Sequence, residues 1–467
     1  MIHHRSGDIK ENGMKIQSVN PFTEELIREF DLLTQNDAAL EAEKSRSAFA
    51  AWAVTPASAR AERVGRLAEH LMTEKRRYAE IITLEMGKTI RESVAEIEKC
   101  ALLCDYYAAN GERFLRPEDI ETEARKSYVM FQPLGIVLAV MPWNFPFWQA
   151  FRFGIPALTA GNVVLLKHAS NVPICALAIE EAFIKAGFPE NVFKTLLIGA
   201  REALGLIEQD LVDAVSLTGS NKAGSQVAEL AGRMIKKVVL ELGGSDPFIV
   251  LDDADVEKAG RTAANARMIN SGQSCIAAKR FIIMEKVANR FKESFVSRLR
   301  ELKLGDPMDE TTDVGPVAKQ DILDTLTAQL ADARDKGAEI IQTGHSYDKG
   351  LFFPPCVVYG ATNKMKVLTE EVFGPIAPVI IVRDEDEAVR AANDTEFGLG
   401  AAIWSRDLER AERLAGKIEA GFIAVNDMVR SDPRLPFGGI KKSGVGRELS
   451  RYGLKEFVNI KTILIRE

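Results

Sequence analysis

Cys275 closes the run Asn270-Ser271-Gly272-Gln273-Ser274-Cys275. The glycine and small polar residues ahead of it suit a tight loop that exposes the sulfur. A thiolate there is a strong nucleophile if a helix N-terminus or a cation lowers its pKa. Alone, a cysteine in a large chain is more often a buried small apolar residue. Glu241 ends an apolar strand and is followed by Leu242-Gly243-Gly244. Partial desolvation raises the pKa of such a carboxylate and suits it to general-base work, although a solvated loop glutamate is the commoner case. Asn144 lies in Pro142-Trp143-Asn144-Phe145-Pro146, a loop stiffened by two prolines, where a fixed amide can donate to a developing oxyanion; turn asparagines beside proline are also common. Thr218-Gly219-Ser220-Asn221-Lys222-Ala223-Gly224 joins a strand to a helix whose first N–H groups could hold a phosphate, but its spacing is not G-x-G-x-x-G. Lys167 ends a strand and can pair with phosphate or ribose oxygens, or simply snorkel. His168 reads as structural. The five histidines, at 3, 4, 70, 168 and 345, form no metal cluster.

These residues need elements to hold them. Residues 36–114 read as helices, with Asn36 or Asp37 as a cap and Gly87 and Gly111 as punctuation. Tyr128–Gln132 alternates as an exposed strand. From there strand and helix alternate: Val137–Met141, Val163–Lys167, the helix Pro173–Ala186 with Gly187 just beyond, Ala214–Thr218, a helix carrying Ala223, Val227 and Leu230, then Val238–Leu240. That alternation predicts a parallel sheet covered by helices on both faces. Such sheets bind ligands beyond the C-terminal ends of their strands, which directs attention to Pro142–Asn144, Lys167–Ser170, Thr218–Ser220 and Glu241–Gly244. A second α/β stretch runs from about 245 to 437 with strands at Phe248–Leu251, Phe281–Met284 and Ala377–Val382, and Asn459–Ile465 alternates as a further exposed strand.

A chain of 467 residues is long enough for two to four domains, and 46% hydrophobic residues supply a large core. A net charge of −7 argues against a nucleic-acid binder and against a basic membrane-docking face. The five cysteines are odd in number and scattered, so a reducing compartment, the cytoplasm, is expected rather than a disulfide framework. Cys100 and Cys104 share a helix face but lack the partners of a zinc site. No apolar run reaches the length of a membrane span. Met1 to Lys15 is polar and reads as a loose leader, with Met14 as an alternative start.

Together the segments resemble the aldehyde dehydrogenase superfamily. The resemblance rests on Pro142-Trp143-Asn144-Phe145-Pro146, Lys167, Thr218-Gly219-Ser220, Glu241-Leu242-Gly243-Gly244, Gly272-Gln273-Ser274-Cys275, Glu371-Val372-Phe373-Gly374-Pro375 and Pro436-Phe437-Gly438-Gly439, in the family's order and spacing. It implies an α/β fold of two doubly wound domains plus a small β oligomerisation flap. Residues 1–126 and 134–243 would form a discontinuous coenzyme-binding domain, 244–440 the catalytic domain, and 127–133 with 455–467 the flap. It also implies roles. Cys275 would be the nucleophile, forming a thioester; Glu241 would activate the hydrolytic water; the Asn144 amide and the Cys275 N–H would hold the oxyanion. Lys167 and Glu371 would grip the nicotinamide-side ribose, Phe373, Trp143 and Leu242 would line the cofactor cleft, and Gly219, Ser220 and Gly224 would form the pyrophosphate turn. A homodimer or homotetramer would cover the flap's free edges.

Cofactor and substrate rest on finer detail. NAD-preferring relatives carry a Glu three residues after Lys167; here Ser170 stands there. A carboxylate would repel a 2′-phosphate and a hydroxyl can donate to one, so NAD(P) is expected with NADP slightly favoured. The segments 167–173 and 431–436 resemble those of bacterial succinate-semialdehyde dehydrogenases. In that comparison Arg152 would meet the substrate carboxylate, with Trp148 and Ser431 completing the pocket. A second Arg found six residues before the nucleophile in some relatives is Ile269 here, with Arg267 two places off, and the second Cys of a redox switch is Ala277. The alternative is a broad dehydrogenase of uncharged aldehydes, against which an unpaired Arg152 in an apolar tunnel would count. A CoA-acylating enzyme is disfavoured by Glu241, and a catalytically idle binding protein by the retention of Cys275, Glu241 and Asn144.

Overall fold

A computed structural model describes residues 15–344, 347 and 349–467; the leader reading, Met14, and His3, His4 and His345 lie outside the described residues. Four helices precede the main sheets: Gln35–Trp52, Ala57–Thr73, Lys75–Met86 and Ile90–Phe114. Each break has a local cause. Thr34 caps the first helix through a reciprocal bond with Asp37, Gly87 takes φ +81° at the end of the third, and Thr89 accepts from the Glu92 N–H at the start of the fourth.

The first large sheet has the spatial order Gly444–Val445, Lys237–Glu241, Ala214–Thr218, Ile136–Met141, Val163–His168, Phe193–Thr195. All neighbours are parallel except the short Gly444–Val445 strand. Ile136–Met141 is first in the chain but central in space. Later strands are added on one side of it and then on the other, so the order reverses beside Ile136–Met141. Helices leaving to opposite faces at that reversal open a crevice outside the strands' carboxyl ends. The four loops singled out by the sequence leave four adjacent strands at that edge.

The second sheet runs Glu339–Gln342, Cys356–Tyr359, Ile376–Val382, Ala278–Met284, Asp246–Val250, Gly400–Trp404, Phe422–Val425, parallel but for its first pair. Fully buried strands such as Asp246–Val250, apolar from Pro247 onward and with five of five residues buried, are what a sheet covered on both faces requires. The cores under the two sheets are separate clusters, one ending at Leu240 in its continuous part and the other beginning at Phe248. The chain does not stay with the second sheet. Gly444–Val445 returns to pair with Glu241 and Leu240, and the helix Ser450–Glu456 packs on Ile90–Phe114 and Pro146–Thr159. Val458–Ile465 then pairs antiparallel with Lys126–Pro133, which also pairs with Glu118–Asp119. The sequence reading missed the hairpin Lys15–Val19/Leu26–Asp31 and the strands at 193–195, 356–359, 400–404 and 422–425.

Candidate active site

Two cavities meet at Cys275. The first, about 200 Å³, opens at the exits of the first sheet between Trp143, Gly219, Ser220, Leu242 and Phe373, with Asn144, Glu371 and Cys275 at its inner end. The second, about 420 Å³, runs from Cys275 past Trp148, Arg152, Ile269, Ser431 and Phe437. Gln149 and Cys275 line both.

The loop that carries Cys275 is strained. Asn270, Ser271 and Gly272 all take positive φ, at 52°, 54° and 78°. Such a run persists only when its surroundings over-determine it. Here Glu92 accepts from the Asn270 N–H at 2.7 Å, and Arg267 donates to the carbonyls of Gly272, Gly374 and Ala278 at 2.7, 2.6 and 2.9 Å. A Cβ on Gly272 would stand 2.4 Å from the Gly374 carbonyl carbon, so only glycine lets the loop lie against that segment. Lys279 donates to the Ser274 and Cys275 carbonyls at 2.9 and 2.6 Å, and a Cβ on Gly244 would lie 2.6 Å from the Cys275 oxygen. Arg267, two places from where some relatives carry a second Arg, is thus a buried clamp on the nucleophile loop.

Asn144 meets this loop directly. Its amide donates to the Gln273 carbonyl at 3.1 Å, and the Asn270 amide donates to the Asn144 carbonyl at 2.7 Å. Behind Asn144, the helix Pro146–Thr159 begins without a side-chain cap of its own. Glu96, from a distant helix, instead accepts from the Phe147 and Trp148 N–H groups at 2.9 Å each and pairs with buried Lys88. His168 Nε2 donates to the Pro146 carbonyl at 2.9 Å while Nδ1 accepts from the Ala169 N–H. Burial pushes His168 down to about 4, so it stays neutral and ties the Asn144 loop to the adjoining strand exit.

Glu241 is buried, and its Oε1 accepts no hydrogen bond from the described residues. Burial raises its pKa, opposed by the Arg152 guanidinium and reinforced by Glu448. Gly438 gives it room: a Cβ there would stand 2.7 Å from Oε1. Burial likewise pushes the half-buried Cys275 thiol to about 11, against the pull of Arg152 and Lys279 and with the push of Glu241 and Glu371. Its resting form is the thiol, with a carboxylate of raised proton affinity beside it.

Of the residues expected to touch a cofactor, the first cavity gathers Trp143, Gly219, Ser220, Leu242, Glu371 and Phe373. Trp143 and Phe373 meet edge-on with ring centroids 5.7 Å apart. Glu371 accepts from the Gly244 N–H at 3.1 Å and faces Lys279 at 3.2 Å. Ser220 caps the helix Asn221–Arg233. Gly224, one turn in, is pressed on Leu242, where a Cβ would lie 2.5 Å from a methyl; it packs the turn and does not line the cavity. Lys167, next to last in the strand Val163–His168, and Ser170, just past its end, both stand outside the lining, and Ser170 is exposed.

Of the substrate residues, Trp148, Arg152 and Ser431 all face the second cavity. Arg152 is not unpaired, however. It forms a buried ion pair with Glu448, lies 3.8 Å from Glu241, and packs over the Phe437 ring at 4.6 Å. The argument that an unpaired Arg152 excludes uncharged aldehydes therefore fails. Sequence reading also missed Lys99, Glu92 and Glu96, spaced along one face of Ile90–Phe114, and Glu448. Charges at four- and three-residue steps within an apolar helical pattern were the available signal.

The profile of the aldehyde dehydrogenase family matches residues 9–463. A probable succinate-semialdehyde dehydrogenase (NADP(+)) of Synechocystis sp. is 47% identical over 453 residues, which is 97% of this chain and 100% of the relative. Succinate-semialdehyde dehydrogenase (NADP(+)) 1 of Mycobacterium tuberculosis is 45% identical over 97% of this chain and 100% of its own. The crystal structure of succinic semialdehyde dehydrogenase from Streptococcus pyogenes in complex with NADP+ superposes with a TM-score of 0.94 at 37% identity, covering 97% of this chain and 100% of that one.

Proposed function

Because this chain belongs to the aldehyde dehydrogenase family, we propose that it oxidises succinate semialdehyde, or a similar short ω-oxo acid, to the carboxylic acid with NADP in preference to NAD. The observation that carries the reading is the position of Cys275, shared by two cavities. The first has the make-up a dinucleotide needs, with a glycine turn at a helix N-terminus, aromatic walls and a strand-order reversal. Gly219 and Ser220 would hold the pyrophosphate, Lys167 and Glu371 the ribose near the reacting ring, and Trp143, Leu242 and Phe373 the ring itself, with Ser170 toward a 2′-phosphate. A bound nicotinamide dinucleotide supplies a hydride acceptor.

The chain's own residues do the rest. Cys275 Sγ adds to the aldehyde carbon as its thiol proton passes by way of the Glu241 carboxylate to solvent, and the resulting oxyanion is held by the Asn144 amide and the Cys275 N–H. Loss of hydride from that carbon leaves a thioester on Sγ. Glu241 takes a proton from water as the water oxygen attacks; the C–S bond breaks and the acid departs, returning the thiol. Arg152 keeps a fraction of Glu241 ionised in a site that otherwise favours the acid form.

The relatives' names support the semialdehyde and NADP. Dimer or tetramer formation is supported by the strand Val458–Ile465, which lies at the edge of its sheet with Ile460, Leu464 and Ile465 exposed. Five unpaired cysteines among the described residues support a cytoplasmic setting. A second reading, a broad dehydrogenase of uncharged aldehydes, is favoured by Arg152's commitment to Glu448. Reduced-cofactor absorbance with succinate semialdehyde or butanal, each with NAD and NADP, separates the two. Preference for the semialdehyde supports the first reading, and equal turnover of butanal overturns it.

A further inference from the structure

The second cavity requires a cation if its substrate carries a carboxylate, and the nearby charges differ in whether they are already engaged. Arg152 is held by Glu448. Arg430 also borders the cavity but is largely exposed, 3.9 Å from Asp427. Lys99 differs from both. Its Nζ donates to Ser431 Oγ at 2.7 Å and lies 4.3 Å from the centroid of the Trp148 ring, yet no carboxylate comes within 4.0 Å of it among the described residues. The carboxylates around it are engaged elsewhere. Asp432 is bound by Arg434 at 2.6 Å, Glu98 by Lys75 at 2.6 Å, and Glu96 by Lys88 and the N–H groups of Phe147 and Trp148. A half-buried ammonium with three donors, one of them used on a hydroxyl and its face against an indole, is a receptor for an anion. Its stem leaves the helix Ile90–Phe114 one turn beyond Glu96.

We infer that Lys99, with Ser431 as its hydrogen-bonded partner and Trp148 as its wall, is the residue that selects aldehydes bearing a distal carboxylate. This rests on the proposed function and names the group that would give it specificity. Lys99 takes the place that the sequence reading gave to Arg152. Ser431 accepts from the ammonium and can turn its own hydrogen toward the second oxygen of the incoming carboxylate. Phe437 and Ile269 line the path between this anchor and Cys275 with apolar surface suited to the short methylene chain.

The test compares the wild-type enzyme with Lys99→Met, which keeps the side chain's bulk, and Lys99→Arg, which keeps its charge. One readout is the ratio of kcat/KM for succinate semialdehyde to that for butanal. The second, independent of turnover, is the binding of succinate by titration calorimetry. Loss of one charge-assisted bond predicts that Lys99→Met lowers the ratio about 10- to 100-fold, through KM, and weakens succinate by a similar factor. Lys99→Arg should retain succinate binding. If Lys99→Met keeps both the ratio and the succinate affinity, Lys99 is not the selector, while the semialdehyde function stands. If the wild type neither prefers the semialdehyde nor binds succinate, the proposed function falls and this inference with it.

Discussion

Replacing Arg152 with Met separates two accounts of that residue. If Arg152 anchors the substrate carboxylate, the variant should lose succinate semialdehyde and keep butanal. The structure leads to a different outcome. The guanidinium lies 3.8 Å from Glu241 and is paired with Glu448, all three buried. At an effective dielectric of about 20, a charge at that distance stabilises the Glu241 carboxylate by about 4 kcal/mol, or roughly 3 pKa units. Removing it moves the Glu241 pKa further up. The base works only as the carboxylate, which exists above that pKa, so the acid limb of the rate profile shifts to higher pH. At neutral pH turnover of both aldehydes should drop, by up to about 10³-fold if hydrolysis limits the rate. Glu448, left buried without its partner, should cost about 3–5 kcal/mol of stability. The double variant Arg152→Met/Glu448→Met removes both charges and should recover part of the thermal midpoint lost in Arg152→Met; the Glu448 charge no longer pushes Glu241 up, but Glu241 still lacks its cation, so activity should return only in part. Steady-state rates on both aldehydes across pH, beside thermal unfolding of the wild type and the two variants, decide the matter. A variant with an unchanged thermal midpoint, normal butanal turnover and a defect confined to the semialdehyde would refute the ion-pair account.

Asn144→Ala should lower kcat about 10²- to 10³-fold with little change in KM, measured by cofactor reduction, because its amide acts on the oxyanion more than on the bound aldehyde. Ser170→Glu should turn the cofactor preference toward NAD by about tenfold or more, read as the NADP to NAD ratio of kcat/KM, since a carboxylate repels a 2′-phosphate. The KM for succinate semialdehyde should be flat below about pH 8 and rise above it. Burial and the Arg152 charge pull Lys99 down to about 8, against the opposing pull of Cys100, Glu96 and Asp432, so the ammonium is lost early on the alkaline side. Butanal, with no carboxylate, should not show that rise.

What the sequence carried and what it hid follow from the range of the interactions. Strand exits were legible because a buried parallel strand is a short apolar run and its end is a change of composition. Glu241, Thr218–Ser220, Lys167 and Pro142–Asn144 all stand where such a run stops. The glycines were legible as a motif, and their reason appears only in space: Gly244 under the Cys275 carbonyl, Gly272 against Gly374, Gly438 beside Glu241. The hairpin Lys15–Asp31 was missed because its strands are mostly exposed and carry no strong period, and the buried strand Phe193–Thr195 because three residues are too few to show one. Arg152 was misjudged for a different reason. The resemblance placed it at the substrate carboxylate with no partner of its own, but Glu448 lies 296 residues on, carried back by the Gly444–Val445 strand. Lys99 looked like any lysine on an amphipathic helix until Ser431 and Trp148 were seen beside it.

Some of the polar groups left unsatisfied in the core gather near the same place, while others, such as Ser18 Oγ, Ser45 Oγ and Trp404 Nε1, lie elsewhere. A folded interior pairs nearly all its buried polar atoms, and exceptions call for an account. Gln149 Oε1, Glu241 Oε1 and both Glu448 oxygens find no hydrogen-bond donor of proper geometry among the described residues; Gln149 lines both cavities, and Glu241 and Glu448 flank Arg152 of the second. A core built only for stability would fill this region with apolar side chains, which often stabilise more than a buried ion pair does. Here a base with a free oxygen, a cation that tunes it and a second carboxylate that holds the cation are all kept out of bulk water beside a thiol. Scaffold requirements do not explain that arrangement. A reaction that moves a proton from sulfur, and later from water, in a site closed to solvent does.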